Sequence, residues 1–276
     1  MISLRRTGLY LGLGVVGVAM AWPFFWMVAT SLKAPAEVFG GTWLPSSLTF
    51  DAYRHVFTDL PFGRYLLNSV VVTAVVVTLN VVLGTAAAYA FAKLRFPGRN
   101  VIFFGLLLTL MVPFQVNIIP LYRMMVTLHE WAPWLGVDSY AGLIAPSAVQ
   151  VFGVFLMRQY LQSIPDAVLE SARLEGASEL RILRSIVFPI ARPGMATLAV
   201  FAFLNSWNDF LWPMIVTSSE NMRTLPVGLA LLARKNNVSW PDTMAGAVVT
   251  IVPMIIVFAV LQRRFVEGLT AGAVKD

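Results

Sequence analysis

The sequence predicts an all-α integral membrane protein with six transmembrane helices. Hydrophobic residues make up 58% of its 276 residues, charged residues make up only 12%, and the mean hydropathy is +0.75. Soluble domains contain about 25% charged residues. The apolar residues gather in six runs, each close to the roughly 20 residues that cross about 30 Å of hydrocarbon as a helix. The predicted spans are residues 8–31, 66–91, 101–121, 139–157, 194–217 and 243–261.

The first run has an alternative interpretation as a secretory signal peptide. Arg5 and Arg6 precede it, and Ala19-Met20-Ala21 resembles a cleavage site. However, the run continues through residues 22–26, beyond a typical signal core, so we expect a retained span. The G-x-G-x-x-G pattern at residues 12–17 lies inside this span without a preceding strand, so we attribute it to close helix packing and not to dinucleotide binding.

The distribution of Lys and Arg orients these spans. With the N-terminus inside, 13 of the 20 Lys and Arg residues fall in cytoplasmic segments and 7 in outside segments. Cytoplasmic loops carry the excess of these residues, so both termini are predicted to be cytoplasmic. The same loops account for the net charge of +6. Membrane lipid is therefore an expected partner and nucleic acid is not.

Two connecting segments have recognisable signals. Residues 32–65 are rich in Pro, Gly and aromatic side chains, and residues 47–53 predict the start of a short helix on the outer membrane surface. Residues 96–100, with Pro97 and Gly98, predict a tight turn that makes spans two and three antiparallel neighbours.

The third span combines two prolines with two polar residues. Pro113 and Pro120 flank Gln115 and Asn117. Proline bends a helix, and polar side chains at membrane depth tend to face the interior of the bundle. These residues predict a kinked helix that faces a transport pathway. The alternative is that they serve helix packing only.

The fifth span holds Asp209, the only acidic residue clearly within a span. Asn205, Asn208 and Asp209 are spaced to share one helix face, and Pro213 is predicted to end that helix. An intramembrane carboxylate is a candidate functional group, so we assign these residues and Gln150 of the fourth span to a pathway or gate. The alternative is a role in an interface or a helix cap.

Residues 163–193 form a long polar interruption that is predicted to be cytoplasmic and to contain two short helices. Ser163 is suited to cap the first helix, Gly176 to end it, and Ser178 to cap the second. Ile164, Val168 and Ala172 are spaced to form one apolar face of the first helix.

An alternative for residues 163–193 is an amphipathic pair of helices that lies on lipid headgroups. Glu170, Glu175 and Glu179 argue against it, because acidic side chains are repelled by an anionic surface.

Several catalytic classes lack their motifs in this sequence. There is no G-x-x-x-x-G-K-[ST] loop, so the chain has no P-loop of its own for ATP. It also lacks spacings typical of Ser/His/Asp, Cys/His or metal hydrolases, so we do not predict an enzyme. There is no cysteine and only two distant histidines, His55 and His129, so no metal site is expected.

Residues 163–193 resemble a known family motif, and on that resemblance we call this segment the coupling loop. ESARLEGAS at residues 170–178, followed by IVFP at residues 186–189, is similar to the EAA loop of ABC importer permeases, whose usual form is EAA, three residues, G, and then I-x-L-P. The departures are mild: Ser171 replaces Ala, Phe188 replaces Leu, and Glu175 stands where Asp is common. These departures leave the detailed contacts of the loop undetermined, but the segment as a whole still resembles an EAA loop.

The resemblance covers nearly the whole chain. RYLLNS at residues 64–69, WNDF at residues 207–210 and the tail GLTAGAVK at residues 268–275 look like the carbohydrate branch of that family. The chain is similar to the smaller, six-span permease of pairs such as the maltose and glycerol-3-phosphate importers.

The resemblance implies a type I ABC importer permease fold in a bacterial or archaeal cytoplasmic membrane. The coupling loop would form a helix seated in a cleft of a separate ATPase subunit, and Glu170 would make a charged contact there. ATP and Mg would bind the partner ATPase subunits, with no cofactor in this chain. The implied partners are a homologous second permease, two ATPase subunits and an extracytoplasmic solute-binding protein. The implied coupling residues are Glu170, Ser171, Ala172, Glu175, Gly176 and Ala177.

Three functional hypotheses follow. The first is an ABC importer permease for a carbohydrate or a related polar solute such as a glycerol phosphate. The second is a proton-coupled secondary transporter that uses Asp209, for which the coupling loop would have no purpose. The third is a structural membrane adaptor, which would not need the polar residues within the spans.

Overall fold

The structure, a computed structural model, describes residues 2–234 and 239–270. Throughout these ranges the regular elements are helical and no strand occurs, as the all-α prediction requires. The last residues of the tail motif, 271–275, lie outside the described residues. The helices are α1 Ile2–Ser31, α2 Asp51–Thr58, α3 Phe62–Lys93, α4 Arg99–Thr109, α5 Phe114–Trp131, α6 Tyr140–Ser147, α7 Val151–Gln162, α8 Asp166–Leu174, α9 Glu179–Ile190, α10 Arg192–Trp207, α11 Leu211–Val216, α12 Leu225–Leu232 and α13 Trp240–Thr270.

Three helices are long and apolar enough to cross a membrane by themselves. They are Arg6–Ser31, Phe62–Lys93 and Trp240–Val260, which match predicted spans one, two and six. Three further candidates are pairs of helices joined at a sharp bend, namely α4 with α5, α6 with α7, and α9 with α10. The described chain therefore has three to six candidate spans.

The third predicted span is broken and not merely kinked. Helix α4 ends at Thr109 and α5 begins at Phe114, with 99° between their axes. Pro113 precedes the new helix with ψ of 136°. Because proline lacks an N–H, a helix readily starts just after it. Pro120, by contrast, lies inside α5, which continues to Trp131, well past the predicted end at residue 121.

The fourth predicted span also contains a break, and the buried side-chain amide of Asn80 stabilises it. Helices α6 and α7 meet at 45°. Asn80 is 1% exposed and lies in a π-helical turn of α3. Its Nδ2 donates to the Ser147 carbonyl at 2.8 Å, and its Oδ1 accepts from the Gln150 N–H at 2.8 Å. The side chain thus satisfies backbone groups that the break would otherwise leave unpaired.

The contact pattern divides the chain into two compact units, Met1–Arg64 with Leu225–Pro253 and Tyr65–Thr224 with Met254–Asp276. In the first, the short helix α2 is present as predicted, and His55 Nδ1 lies 2.8 Å from Asp242 Oδ2. In the second, the core of the coupling-loop end consists of buried apolar side chains of α3, α7, α8, α9 and α10. Members of that cluster include Tyr89, Met157, Leu161, Leu169, Ile182 and Leu198.

The opposite end of α3 is held by polar contacts. Asn68 is fully buried, and its Nδ2 donates to the carbonyls of Asn221 at 2.7 Å and Arg223 at 2.8 Å. Its Oδ1 accepts from the Tyr140 hydroxyl at 2.7 Å. Asn68 and Lys93 are separated along α3 by about 37 Å at 1.5 Å per residue, enough to cross a bilayer core.

Candidate functional site

The coupling loop contains the predicted helix stop. Gly176 has φ of +81°, a conformation that glycine adopts without steric cost. The Ala177 N–H donates to the Ala172 carbonyl and the Gly176 N–H donates to the Arg173 carbonyl, both at 3.0 Å. This pair of bonds is a Schellman motif, and it closes the end of α8. Ser178 Oγ then accepts from the Arg181 N–H at 3.4 Å and caps α9, as predicted.

The start of α8 differs from the prediction. Ser163 does not cap it: its Oγ donates to the Tyr160 carbonyl at 2.7 Å, at the end of α7. Helix α8 begins only at Asp166, so Ile164 lies outside its helical period. As a result the buried face carries Leu169, which is 1% exposed, whereas Val168 is 42% exposed.

Lys93 attaches the coupling loop to the end of α3. Its Nζ donates to the Ile164 carbonyl and to Asp166 Oδ1, each at 2.6 Å. The lysine side chain is only 6% exposed. The hydrogen bond from Lys93 holds the pKa of the Asp166 carboxyl below its ordinary value. Since a buried ammonium needs partners, this contact fixes where the loop begins.

A second attachment joins both helices of the coupling loop to α3. Arg173 donates through Nε to Glu179 Oε1 at 2.7 Å and through a terminal nitrogen to Oε2 at 3.3 Å. The Tyr89 hydroxyl of α3 also donates to Glu179 Oε2. The bond to Glu179 holds the pKa of Arg173 above its ordinary value. Sequence reasoning missed this network, because Tyr89 and Glu179 are far apart along the chain.

The six predicted coupling residues fall into two groups. Glu170, Ser171, Glu175 and Gly176 are exposed. Ala172 is buried in the core below, and Ala177 packs partly against it. The structure therefore brings the acidic residues of the motif to the surface and uses its alanines for packing.

Two exposed leucines extend this surface. Leu174 at the end of α8 is 90% exposed, and Leu180 at the start of α9 is 75% exposed. Beside them lies a groove of about 190 Å³ whose lining includes Glu175, Arg181 and Ser185. Apolar side chains exposed next to charged ones are typical of protein interfaces. In the sequence, Leu174 lies off the predicted apolar face of Ile164, Val168 and Ala172, and this position is the signal that could have indicated its exposure.

The predicted shared face of Asn205, Asn208 and Asp209 is wrong. Helix α10 ends at Trp207, and Asn208 Nδ2 donates to the Leu204 carbonyl at 2.8 Å. Asparagine side chains compete with the helical hydrogen bonds in this way, so the helix stops before Asp209. Pro213 does not end a helix either, because it lies within α11.

Asp209 lies at the break between α10 and α11, where it lines a narrow polar space. Its Oδ1 accepts from the Trp212 N–H at 3.4 Å. Nearby, Ser206 Oγ donates to Thr73 Oγ1 at 3.3 Å. We call this space the Asp209 crevice; it is lined by Ser69, Val72, Thr73, Val76, Leu143, Ser147, Ser206, Asp209, Pro213 and Thr224.

The other predicted pathway residues share few hydrogen bonds with one another within the described ranges. Asn205 Nδ2 donates to Gln150 Oε1 at 3.4 Å, which links α10 with the start of α7. Gln115 and Asn117 are exposed near the start of α5. Within the described ranges no hydrogen bond joins either of them to the Asp209 crevice. In the described part of the chain, hydrogen bonds therefore do not join the six candidates into one network.

Comparison with known proteins gives a consistent result. The family described as binding-protein-dependent transport system inner membrane component matches residues 80–270. An arabinooligosaccharides transport system permease protein of Halalkalibacterium halodurans is 35% identical over 272 residues, 97% of this chain and 95% of that protein. An sn-glycerol-3-phosphate transport system permease protein of Yersinia pestis is 35% identical over 266 residues, 92% of each chain.

A solved structure agrees with these relatives. A chain of a bacterial ABC transporter involved in the import of the acidic polysaccharide alginate superposes with a TM-score of 0.85 at 28% identity. The match covers 96% of this chain and 98% of that one. None of these relatives supports the hypothesis of a proton-coupled secondary transporter.

Proposed function

This chain belongs to the binding-protein-dependent transport system inner membrane component family, and on that premise we propose that it is the transmembrane permease subunit of an ABC importer. The whole chain, residues 1–276, acts as one permease domain in the cytoplasmic membrane. It moves a carbohydrate or a related polar solute inward. It does not catalyse a reaction itself.

The observation that carries this proposal is the construction of the coupling loop. Two short helices end in well-formed caps and are attached to α3 by Lys93 and Tyr89. Their outer surface nonetheless exposes Glu170, Leu174 and Leu180. A loop that only tethers two spans needs neither the attachments nor the exposed leucines. We assign Glu170, Ser171, Ala172, Glu175, Gly176 and Ala177 to ATPase coupling, the alanines through packing.

The proposed topology has six spans with both termini in the cytoplasm. The pairs α4 with α5 and α6 with α7 each count as one span, α10 with α11 forms the fifth span, and the coupling loop with its helix α9 is cytoplasmic. Contacts at the two ends of α3 support the predicted alternation of cytoplasmic and outer segments. Lys93 meets Asp166, and both are predicted to be inside. Asn68 meets Arg223, and both are predicted to be at the outer boundary.

The proposed partners follow from what this chain lacks. With no P-loop in its sequence, it depends on two separate ATPase subunits that bind ATP and Mg. Closure of those subunits would move the coupling loop as a rigid body, and α3 with it. A homologous second permease would complete the pathway, and an extracytoplasmic binding protein, as the family description implies, would deliver the solute.

The substrate class rests on the relatives. Their names specify arabinooligosaccharides and sn-glycerol-3-phosphate, and the solved structure concerns alginate. All three are hydroxyl-rich and polar. We therefore propose a saccharide or a glycerophosphate as the solute. Gln115, Asn117, Gln150, Asn205, Asn208 and Asp209 remain the proposed pathway or gate residues.

The test is ATPase stimulation. The complex is purified through a tag on this chain, reconstituted in liposomes, and supplied with its binding protein and a panel of oligosaccharides and glycerophosphates. We expect at least one of them to stimulate ATP hydrolysis. Stimulation by none would contradict the proposed substrate class.

Glu170→Ala tests the coupling role directly. Truncating one partner of a buried charge pair costs about 2–5 kcal/mol, so uptake and stimulated ATPase activity should both fall at least tenfold, while membrane insertion is unchanged. Glu130→Ala, which removes an exposed glutamate of α5, is the matched control and should transport normally. Wild-type uptake by Glu170→Ala would remove this residue from the coupling surface.

A further inference from the structure

The Asp209 crevice is lined by several polar residues although the chain as a whole is 58% hydrophobic. Six of its ten lining residues carry side-chain oxygens and none carries a side-chain nitrogen; they are Ser69, Thr73, Ser147, Ser206, Asp209 and Thr224. The space measures about 10 Å³, close to the least that a particle the size of one water molecule requires. It can therefore hold a single small polar species and nothing the size of a sugar.

Thr224 points to such a species. The residue is 4% exposed. Its Oγ1 is buried and makes no hydrogen bond to any residue in the described part of the chain. Buried hydroxyl groups nearly always have a partner. A hydroxyl that lines a small oxygen-rich space without one indicates a ligand in that space.

The charge of the lining selects the kind of ligand. Asp209 contributes the crevice's only carboxylate, and no ion pair within residues 2–234 and 239–270 includes it. Asp209 is half-buried, and a carboxylate that is partly withdrawn from water needs compensation. One negative charge among hydroxyl oxygens matches one hard monovalent cation, since oxygen is the donor that hard cations prefer. A divalent ion would call for more carboxylates.

We propose that the Asp209 crevice binds one Na⁺ ion, with the Asp209 carboxylate and the Thr224 hydroxyl as ligands. Na⁺ is smaller than a water molecule, which suits the narrow space. The ion would join the break between α10 and α11 to α3, through Ser69 and Thr73, and to α6, through Ser147. It would stabilise the bent segment between Trp207, where α10 ends, and Leu211, where α11 begins.

The experiment compares salts of equal concentration on the full-length chain in lipid nanodiscs. The thermal unfolding midpoint is measured in NaCl and in choline chloride, because choline is too large for the crevice. We expect a midpoint higher by about 2 °C or more in NaCl, as for a ligand that binds only the folded state. Binding of radioactive Na⁺ should saturate at about one ion per chain.

Two threonine variants make the test specific. Thr224→Val should lose the Na⁺-dependent rise while keeping its midpoint in choline chloride. Thr85→Val is the matched control: Thr85 Oγ1 is equally buried and without a partner among the described residues, but it does not line the crevice, so the rise should remain. Asp209→Asn should also lose the rise, and Ser206→Ala is a reserve variant if Thr224→Val does not fold.

Two results would overturn the proposal. One is an equal midpoint for the wild-type chain in both salts, which would leave a water molecule or a proton to satisfy Asp209. The other is a Na⁺-dependent rise that persists in Thr224→Val. Neither readout involves ATP or transport, so they are independent of the proposed importer function.

Discussion

The two ends of helix α3 are built differently. At one end, Tyr89 and Lys93 contact charged groups of the coupling loop, and each charge has a defined partner. At the other end, Ser69 and Thr73 line the Asp209 crevice, where hydroxyl groups surround a single carboxylate. The ion pair and hydrogen bonds at the first end resist relative motion of the coupling loop and α3. The second end adjoins the break between α10 and α11, where the helix is not continuous.

This difference suggests a division of work within the permease. Ion pairs and helix caps would hold the coupling loop rigidly against α3. A displacement of the loop by the ATPase would therefore also move α3. The break between α10 and α11 lies at the crevice end, where the span is not one continuous helix. A substitution at the loop end should therefore affect coupling, and one at the crevice end should affect stability or ion dependence.

Gly176→Val should have the largest effect on coupling. Valine is strained at φ of +81° by about 1–2 kcal/mol, so the Schellman motif should open and the end of α8 should move. We expect uptake in proteoliposomes to fall at least tenfold while ATP hydrolysis continues without solute.

The matched control is Gly41→Val. Gly41 also has a positive φ, +76°, with open space around it, but it lies outside the coupling loop. It should strain the backbone similarly and leave the ratio of uptake to ATP hydrolysis unchanged. If both variants lower that ratio equally, general strain explains the loss and the coupling loop is not special.

Tyr89→Phe should have an intermediate effect. It removes one hydrogen bond to a charged group, worth about 1.5–3 kcal/mol, and it separates α3 from Glu179 without emptying the core. Uptake per ATP hydrolysed should fall several-fold. Tyr160→Phe is the control, because Tyr160 packs in the same core and its hydroxyl has no bond to Glu179. Equal behaviour of the two variants would contradict a role for the network.

Lys93→Met and Asp166→Asn should have the smallest effects, and unequal ones. Lys93 is nearly buried and bonds both a carbonyl and Asp166, whereas the Asp166 side chain is 72% exposed. The lysine variant should therefore lower uptake by a few-fold and the aspartate variant by less than twofold, since exposed ion pairs contribute little.

The pH dependence of that ion pair has a definite sign. The pKa of Asp166 is lowered from its ordinary 3.8. Its stabilisation is therefore complete above that value and is lost only as the pH falls through the lower, folded-state pKa. The difference between Lys93→Met and wild-type uptake should be the same at neutral and at mildly acidic pH. A difference that disappears near pH 6 would point to another titrating group.

Local signals in the sequence were reliable around Gly176 and Ser178, but not at the start of the coupling loop, where Ser163 does not cap α8. Gly176 and Ser178 were predicted correctly because a helix stop and a helix cap depend on a few neighbouring residues. The breaks at Pro113 and Asn208 were underestimated, because whether a polar or proline residue bends a span or ends it depends on the partners that satisfy the freed backbone groups. The burial of Leu169 in place of Val168 followed from a helix start that sequence placed too early.

By itself, the sequence determined the class of the protein. Apolar runs of bilayer length, the positions of Lys and Arg between them, and the loop around Glu170 and Gly176 depend only on composition and short-range patterns. The tertiary structure alone decided which distant side chains meet. Tyr89 reaches Glu179, and Thr73 and Thr224 face the same crevice as Asp209, because helix packing sets those contacts and helical periodicity carries no information about them.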